Sequence, residues 1–230
     1  MKKQPSLVEC KDGSHTLFSS QYNQHYHNPN GAVKESLHIF FKVNGLQDAL
    51  QKGHDFSVLE VGFGTGLNLM LLADMHESIN SSSKVKFYSI ESNLIAPETA
   101  AKLNYASFLK HPYLIKSLPG FFEASPGINT FTVTEDIELN LYNGLFEDFQ
   151  MDSLKADFIL HDAFSPGVNA ELWSTEAFAK LRAHSSEKVT LSTYSSAVRA
   201  RDAMARAGWL PTRVPGILGK REMTVAGVSF

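Results

Sequence analysis

The sequence predicts an α/β fold, a doubly wound and mostly parallel sheet preceded by a short N-terminal extension. Three observations carry that expectation. The run Val58-Leu59-Glu60-Val61 ends in Gly62-Phe63-Gly64-Thr65-Gly66 and flows into Leu67-Asn68-Leu69-Met70-Leu71-Leu72, giving strand, glycine turn and helix in succession. From Ser57 onward, short apolar runs alternate with segments of helical spacing, the rhythm of a parallel sheet flanked by helices. A length of 230 residues, 43% hydrophobic and 20% charged, suits one such domain with a small extension.

The elements follow in chain order. Residues 12–28 alternate polar and aromatic side chains around Asp12-Gly13, which reads as a short hairpin or lid. Gly31 to Val43 has helical spacing through Ala32, Leu37, Phe40 and Phe41. Strands are expected at 57–61, 85–90, 137–142, 157–161 and 188–193, with helices near 67–76, 96–109, 171–182 and 195–207. Residues 111–135, rich in Pro and Gly, read as an inserted excursion with one short helix around Gly120–Ala124. The segment Leu210–Phe230 contains Pro211, Pro215 and two strand-like pieces, and fits a closing antiparallel pair. The expected division is an extension or lid over residues 1–45 and the main domain over 46–230.

Composition narrows the function classes. No apolar run approaches the roughly 20 residues of a membrane span, and Met1-Lys2-Lys3-Gln4-Pro5 lacks the apolar core of a signal peptide. Cys10 is the single cysteine, which excludes an internal disulfide and a cysteine metal cluster and points to the reducing cytoplasm. The net charge of −3 is unevenly spread. Residues 181–230 hold eight Lys/Arg against three Asp/Glu, while residues 1–180 hold thirteen against twenty-one. A basic C-terminal face can meet nucleic-acid phosphates, and ordinary solvated side chains explain the charge equally well.

In a doubly wound sheet, ligands sit beyond the carboxyl ends of the strands, so the residues after each strand matter most. After the first come the glycines, which let backbone approach a ligand that a Cβ would push away. A dinucleotide fingerprint needs a small residue at position 67, which is Leu; the third glycine falls at 66. Glu60 two positions before Gly62, followed by alternating glycines, resembles motif I of S-adenosylmethionine (SAM) methyltransferases. A phosphate-free, cationic ligand also suits a carboxylate at Glu60. The competing reading is a glycine-rich turn with no ligand. The second strand ends at Glu91, placed to grip ribose hydroxyls or to cap a helix before Pro97. The third leads into Gly144-Leu145, with Glu147 or Asp148 as adenine contacts or helix caps. The fourth ends in His161-Asp162-Ala163-Phe164-Ser165-Pro166. A carboxylate there can attract an ammonium, orient its nitrogen and accept its proton, which makes Asp162 the catalytic candidate. His161 reads as packed against the neighbouring layer.

Together these pieces resemble a known family, the SAM-dependent methyltransferase domain of the MnmC type. The match runs through Tyr22-Asn23-Gln24-His25-Tyr26-His27-Asn28, Gly31-Ala32 and Glu35-Ser36, then Glu60 to Asn68 and Glu91. It continues through Asp162-Ala163-Phe164-Ser165-Pro166, Asn169, Leu172-Trp173, Thr193-Tyr194-Ser195, Pro215-Gly216 and Gly219-Lys220-Arg221-Glu222-Met223. The sequence departs from the family pattern at Leu145, Ala170, Val198 and Asp202. The resemblance implies a Rossmann-like SAM-dependent methyltransferase fold. It also implies N-methylation of the 5-aminomethyl group of a wobble (2-thio)uridine in tRNA, with a separate enzyme supplying the aminomethyl uridine. By the same resemblance SAM is held by Gly62, Gly64, Gly66, Glu60 and Glu91, with Tyr26 closing over it or the amine. Phe164 or Trp173 stacks on the base, with core filler as the competing reading of Trp173; Lys220, Arg221 and Arg201 meet phosphates, with an ion pair along its own helix as the competing reading of Arg201. No second glycine fingerprint follows, as expected of a stand-alone methyltransferase.

Two rival readings remain at this point. A polyamine synthase shares the fold and amine chemistry but usually carries a second Asp where this chain has Ala163-Phe164-Ser165-Pro166. A non-catalytic SAM-sensing or RNA-binding module is disfavoured by Asp162 beside an intact glycine motif.

Overall fold

The computed structural model describes residues 4–228. Met1–Lys3 and Ser229–Phe230, where the signal-peptide and closing-strand expectations begin and end, lie outside the described residues. The N-terminal strands β1 (Ser6–Glu9), β2 (His15–Ser19) and β3 (Gln24–His25) form a three-stranded antiparallel sheet of their own. Its first turn is local chemistry. Asp12 Oδ1 accepts from the Ser14 amide at 3.0 Å and hydroxyl at 2.5 Å, and Gly13 takes φ of 84°. The expected hairpin is present and starts earlier, at Ser6.

Helix α1 (Ala32–Ser36) runs directly into a π-helical stretch, Leu37–Val43, so the expected single helix changes pitch midway. Ile39, Phe40 and Phe41 are all buried there, anchoring the extension in the main core. After α2 (Leu46–Lys52) come β4 (Phe56–Val61), α3 (Leu67–Ser78), β5 (Val85–Glu91) and the short α4 (Pro97–Ala100). The expected helix at 96–109 is broken into α4 and a 3-10 turn at Tyr105–Phe108. The excursion holds a 3-10 turn, α5 (Leu118–Phe121) and an unexpected strand, β6 (Gly127–Thr132), which pairs antiparallel with β7 (Ile137–Asn143). Then follow β8 (Ala156–His161), α6 (Thr175–Ala183), β9 (Ser185–Thr193), α7 (Val198–Arg206), β10 (Leu210–Pro215) and β11 (Glu222–Gly227). Helix α6 starts later than expected because Ser174 caps it, accepting from the Ala177 amide at 3.0 Å.

The eight-stranded sheet has the order β10-β11-β9-β8-β4-β5-β7-β6, with β7, β5, β4, β8 and β9 parallel and the edges antiparallel. Strand β4 lies between β5 and β8, so the order reverses there and a crevice opens above its carboxyl end. Both sheet faces are buried. Along β4, Val58 faces one core cluster while Leu59 and Val61 face the other, the period-two alternation of a strand. Helix α3 is buried from Leu67 through Asp74, so its polar residues need internal partners. Asp74 takes the His111 amide at 2.7 Å, and Asn68 turns to two carboxyl groups described below. No described helix is long and apolar enough to cross a membrane.

Candidate active site

The crevice at the end of β4 is shaped by the glycines. Gly62 has φ of 96°, and a Cβ on it would lie 2.8 Å from the Asp162 carbonyl oxygen. That close approach lets the Asp162 amide donate to the Val61 carbonyl at 2.9 Å and continues the β4–β8 pairing into the loop. Gly64 has φ of 57°, with the Tyr26 ring 3.4 Å from where a Cβ would stand. Its amide donates to Glu91 Oε2 at 3.0 Å, while Glu91 Oε1 takes the Asn93 amide at 2.8 Å. Burial raises the Glu91 carboxyl pKa, and these backbone donors pull it back. Glu91 thus fixes the glycine loop and keeps lone pairs for hydroxyl groups. Gly66 serves packing at the start of α3, because a Cβ there would run into Leu118 at 2.6 Å.

A cavity of about 740 Å³ opens over this loop, and Gly62, Gly64, Glu91, Asp162, Phe164 and Tyr26 are among its lining residues, as are Leu145 and Phe146. The N-terminal extension forms its roof. Gln24 is bonded twice to Ser165, donating to its hydroxyl at 2.5 Å and accepting its amide at 3.2 Å. The Phe164 ring sits 4.7 Å from Tyr22 and 5.0 Å from Tyr26, an aromatic wall built from both segments. Trp173 is buried and donates to the Phe164 carbonyl at 2.8 Å, so it braces this loop from the core.

The Asp162 carboxyl lies on the cavity wall, where Asn68 Nδ2 donates to its Oδ2 at 3.1 Å. Burial pushes its pKa from the usual 3.8 to about 8; the Glu35 charge adds to the rise, and Asn68 and Lys220 oppose it. The same Asn68 nitrogen donates to Glu60 Oε1 at 2.9 Å, and Ser89 donates to Glu60 Oε2 at 2.6 Å. Both Asn68 protons are therefore engaged by carboxyl groups, while its buried Oδ1 has no partner among the described residues.

Several expected site residues stand elsewhere. Glu60 is 1% exposed and does not line the cavity. Burial raises its carboxyl pKa well above the usual range, the Ser89 and Asn68 donors oppose that rise, and the group lies behind the site rather than facing a ligand in the cavity. Lys220 turns inward: its Nζ lies 2.7 Å from Glu35 Oε1 and 4.3 Å from the centre of the Tyr194 ring. The cation expected to meet a phosphate therefore has an internal partner, with its side chain 31% exposed. Arg221 is exposed and, like Lys220, lies off the cavity wall. His161 is buried against Trp173 at 4.4 Å, bonded through Nε2 to the Leu172 carbonyl, and its pKa is lowered to about 4 by burial.

Sequence reasoning did not single out Asn68, Tyr22, Glu35 or Tyr194 for roles at the site. Tyr194 donates to the Ala163 carbonyl at 2.8 Å, and Asn28 donates to Glu35 Oε1 at 3.0 Å. One local signal was available for Asn68: a polar residue inside an otherwise apolar helix start, directly after the glycine turn.

The sequence model of a family described as S-adenosyl-L-methionine-dependent methyltransferases matches residues 111–229. The chain belongs to that methyltransferase family. SAM is accordingly its cofactor. Among curated relatives, the tRNA 5-methylaminomethyl-2-thiouridine biosynthesis bifunctional protein MnmC of Azoarcus sp. (strain BH72) is 32% identical over 95% of this chain and 34% of its own length. The protein of the same name from Burkholderia thailandensis is 30% identical over 96% of this chain and 34% of its own length. The chain thus spans about a third of the length of these relatives. The crystal structure of MnmC2 from Aquifex aeolicus aligns with a TM-score of 0.78 at 26% identity, covering 98% of this chain and 71% of that one. The resemblance to the MnmC type and the methyltransferase fold expected from the sequence are borne out.

Proposed function

We propose that this methyltransferase transfers a methyl group from SAM to the 5-aminomethyl group of a wobble uridine or 2-thiouridine in tRNA. The observation that carries the reading is Asp162, a carboxyl with a pKa of about 8 on the wall of the cavity beside the glycine loop. An alkyl amine has a pKa of roughly 10 in water, so it arrives protonated and has to lose a proton before it can act as a nucleophile. A carboxyl near 8 is far better matched to that proton than an ordinary carboxyl near 4. In its ionised form Asp162 pairs with the arriving ammonium, accepts the proton on Oδ1 and leaves a neutral amine. Asn68 holds Oδ2 throughout, which fixes the orientation of the acid.

Gly62 and Gly64 hold the amino-acid part of SAM and Glu91 its ribose; Glu60 supports this set from behind through Asn68. Bound there, SAM supplies an electrophilic methyl group. Phe164 with Tyr22 and Tyr26 makes the face on which the uracil ring stacks and excludes water from the amine. Residues 1–45 serve as a roof on a methyltransferase domain of 46–230, which Gln24 ties down at Ser165. The names of the MnmC relatives support the tRNA substrate, and a separate enzyme supplies its aminomethyl group. The setting for this chemistry is the cytoplasm, where tRNA is modified.

Mass spectrometry of wobble nucleosides from a strain lacking this chain provides the test. The 5-aminomethyl nucleoside accumulates and its methylated product disappears if the reading is right. An unchanged nucleoside profile, with methylation of putrescine-like amines or none by the purified protein, would refute it.

A further inference from the structure

A second, smaller cleft of about 320 Å³ is lined by Pro166, from the loop that carries Asp162. The two openings are neighbours. Phe164 lines the main cavity, Pro166 two residues later lines the cleft, and Ser174 and Glu176 line both. The far wall of the cleft is helix α7, which presents Arg199, Ala203 and Arg206 to it. The spacing i, i+4, i+7 puts these three on one helix face, and the arginine Cα atoms stand about 10.5 Å apart along the axis at 1.5 Å per residue. Ala203 is 2% exposed and small, so it forms a floor between two exposed guanidinium groups.

Neither arginine forms an ion pair among the described residues, with Asp202 one helical turn from each on the same helix. Among the described residues, the ion pairs are His111–Asp74, Arg213–Glu222 and Lys220–Glu35, and the cation–ring contacts involve Lys180 and Lys220. Arg206 donates through Nε to the Thr175 hydroxyl at 3.1 Å, which aims its head while leaving both terminal nitrogens available. Arg199 Nη2 lies 3.6 Å from the position a Gly167 Cβ would occupy, against the loop between the two openings. The acidic Glu176 on the shared wall repels an anion from that side and leaves the α7 side as the favourable one.

We infer that this cleft binds the phosphodiester backbone of the RNA strand whose nucleoside enters the main cavity, with Arg199 and Arg206 as the phosphate contacts. The inference rests on the tRNA reading for its ligand, and it assigns the phosphate role to α7 instead of Lys220, whose charge is paired internally. A planar guanidinium suits a phosphate's paired oxygens, and Pro166 and Ser174 join the cleft to the segments that line the main cavity.

The test compares the full chain with R199A/R206A and R199K/R206K, measuring binding of an RNA stem-loop across a salt series alongside methyl transfer to aminomethyl-uridine tRNA. The alanine pair should raise Kd on the order of tenfold and flatten the slope of log K against log salt by about 1.4, two contacts at about 0.7 each. The lysine pair should keep most of that slope, and SAM affinity and melting temperature should match wild type. RNA affinity and slope unchanged in the alanine pair would overturn the cleft whatever the activity. Wild-type binding that depends on both arginines, without any methyl transfer to tRNA, would sustain the cleft and reject the methylation reading. Preference for polyglutamate over RNA at equal salt would overturn it in favour of an acidic peptide.

Discussion

Replacing Asp162 by Asn should stabilise the cofactor-free protein while removing its activity. Burial lifts the Asp162 carboxyl from 3.8 to about 8, so ionisation is harder in the fold than in the unfolded chain. Because the folded value is the higher one, the carboxyl's contribution to stability is complete below about pH 4 and is lost progressively as pH rises towards 8. At about 1.4 kcal/mol per unit, the loss at pH 7 is on the order of 4 kcal/mol for a fully enclosed group. The carboxyl faces an open cavity, and screening by water there brings the figure to about 2 kcal/mol. Asparagine carries no charge, and its own oxygen can accept the 3.1 Å bond from Asn68. The variant should therefore melt about 4–8 °C higher than wild type near pH 7, by about 2–4 °C per kcal/mol for a chain of this size. Near pH 5 the difference should shrink to less than half of that. Methyl transfer should fall on the order of 10²-fold or more, since the amide cannot accept the ammonium proton. Calorimetry across the pH series with parallel rate measurements decides the matter. A melting difference that does not grow between about pH 5 and 8, or a variant less stable than wild type near pH 8, would refute the buried-acid reasoning.

Two further substitutions separate the roles assigned around the cavity. Gly64→Val should abolish SAM binding in calorimetry, because a branched side chain at φ of 57° meets Tyr26 and breaks the amide bond to Glu91; retained affinity would remove the glycine loop from the cofactor site. Lys220→Met should lower stability by about 1–3 kcal/mol by leaving Glu35 with Asn28 as its remaining partner, and should move the acid limb of the pH–rate profile upward as Asp162 loses a nearby cation. A variant with normal melting and a defect in tRNA affinity alone would instead restore Lys220 to the phosphates.

What the sequence revealed of this site is what lies close together along the chain. Strand, glycine turn and helix are contiguous, so the position of Gly62 and Gly64 followed from a nine-residue run. Glu91 and Asp162 were legible because strand ends in this topology converge on one crevice. Glu60 was not, because β4 is buried on both faces and a strand residue there points inward whichever side it takes. Lys220 looked like surface charge because its partner, Glu35, lies far away in sequence. Strand β6 escaped notice since its pattern of Asn and Thr reflects an edge position, half exposed along its length. The π-helical stretch at Leu37–Val43 spans seven residues, too few for its wider i→i+5 winding to show in the apolar periodicity.

The roof of the cavity is joined to the far end of the chain. Asn28 and Asn30 donate to the Leu218 carbonyl at 3.4 and 3.1 Å, His38 bonds the Pro215 carbonyl at 2.9 Å, and Glu35 meets Lys220. These partners lie 177 to 190 residues apart, so the later ones leave the ribosome well after the earlier ones. A nascent chain can lay down β4, α3 and β5 and still lack the pair that sets the charge around Asp162. Closing loops of 177 to 190 residues is a late and entropically costly event, so catalytic competence arrives after most of the sheet is already built. The site is thereby timed: the glycine loop can be in place before the pair that borders Asp162.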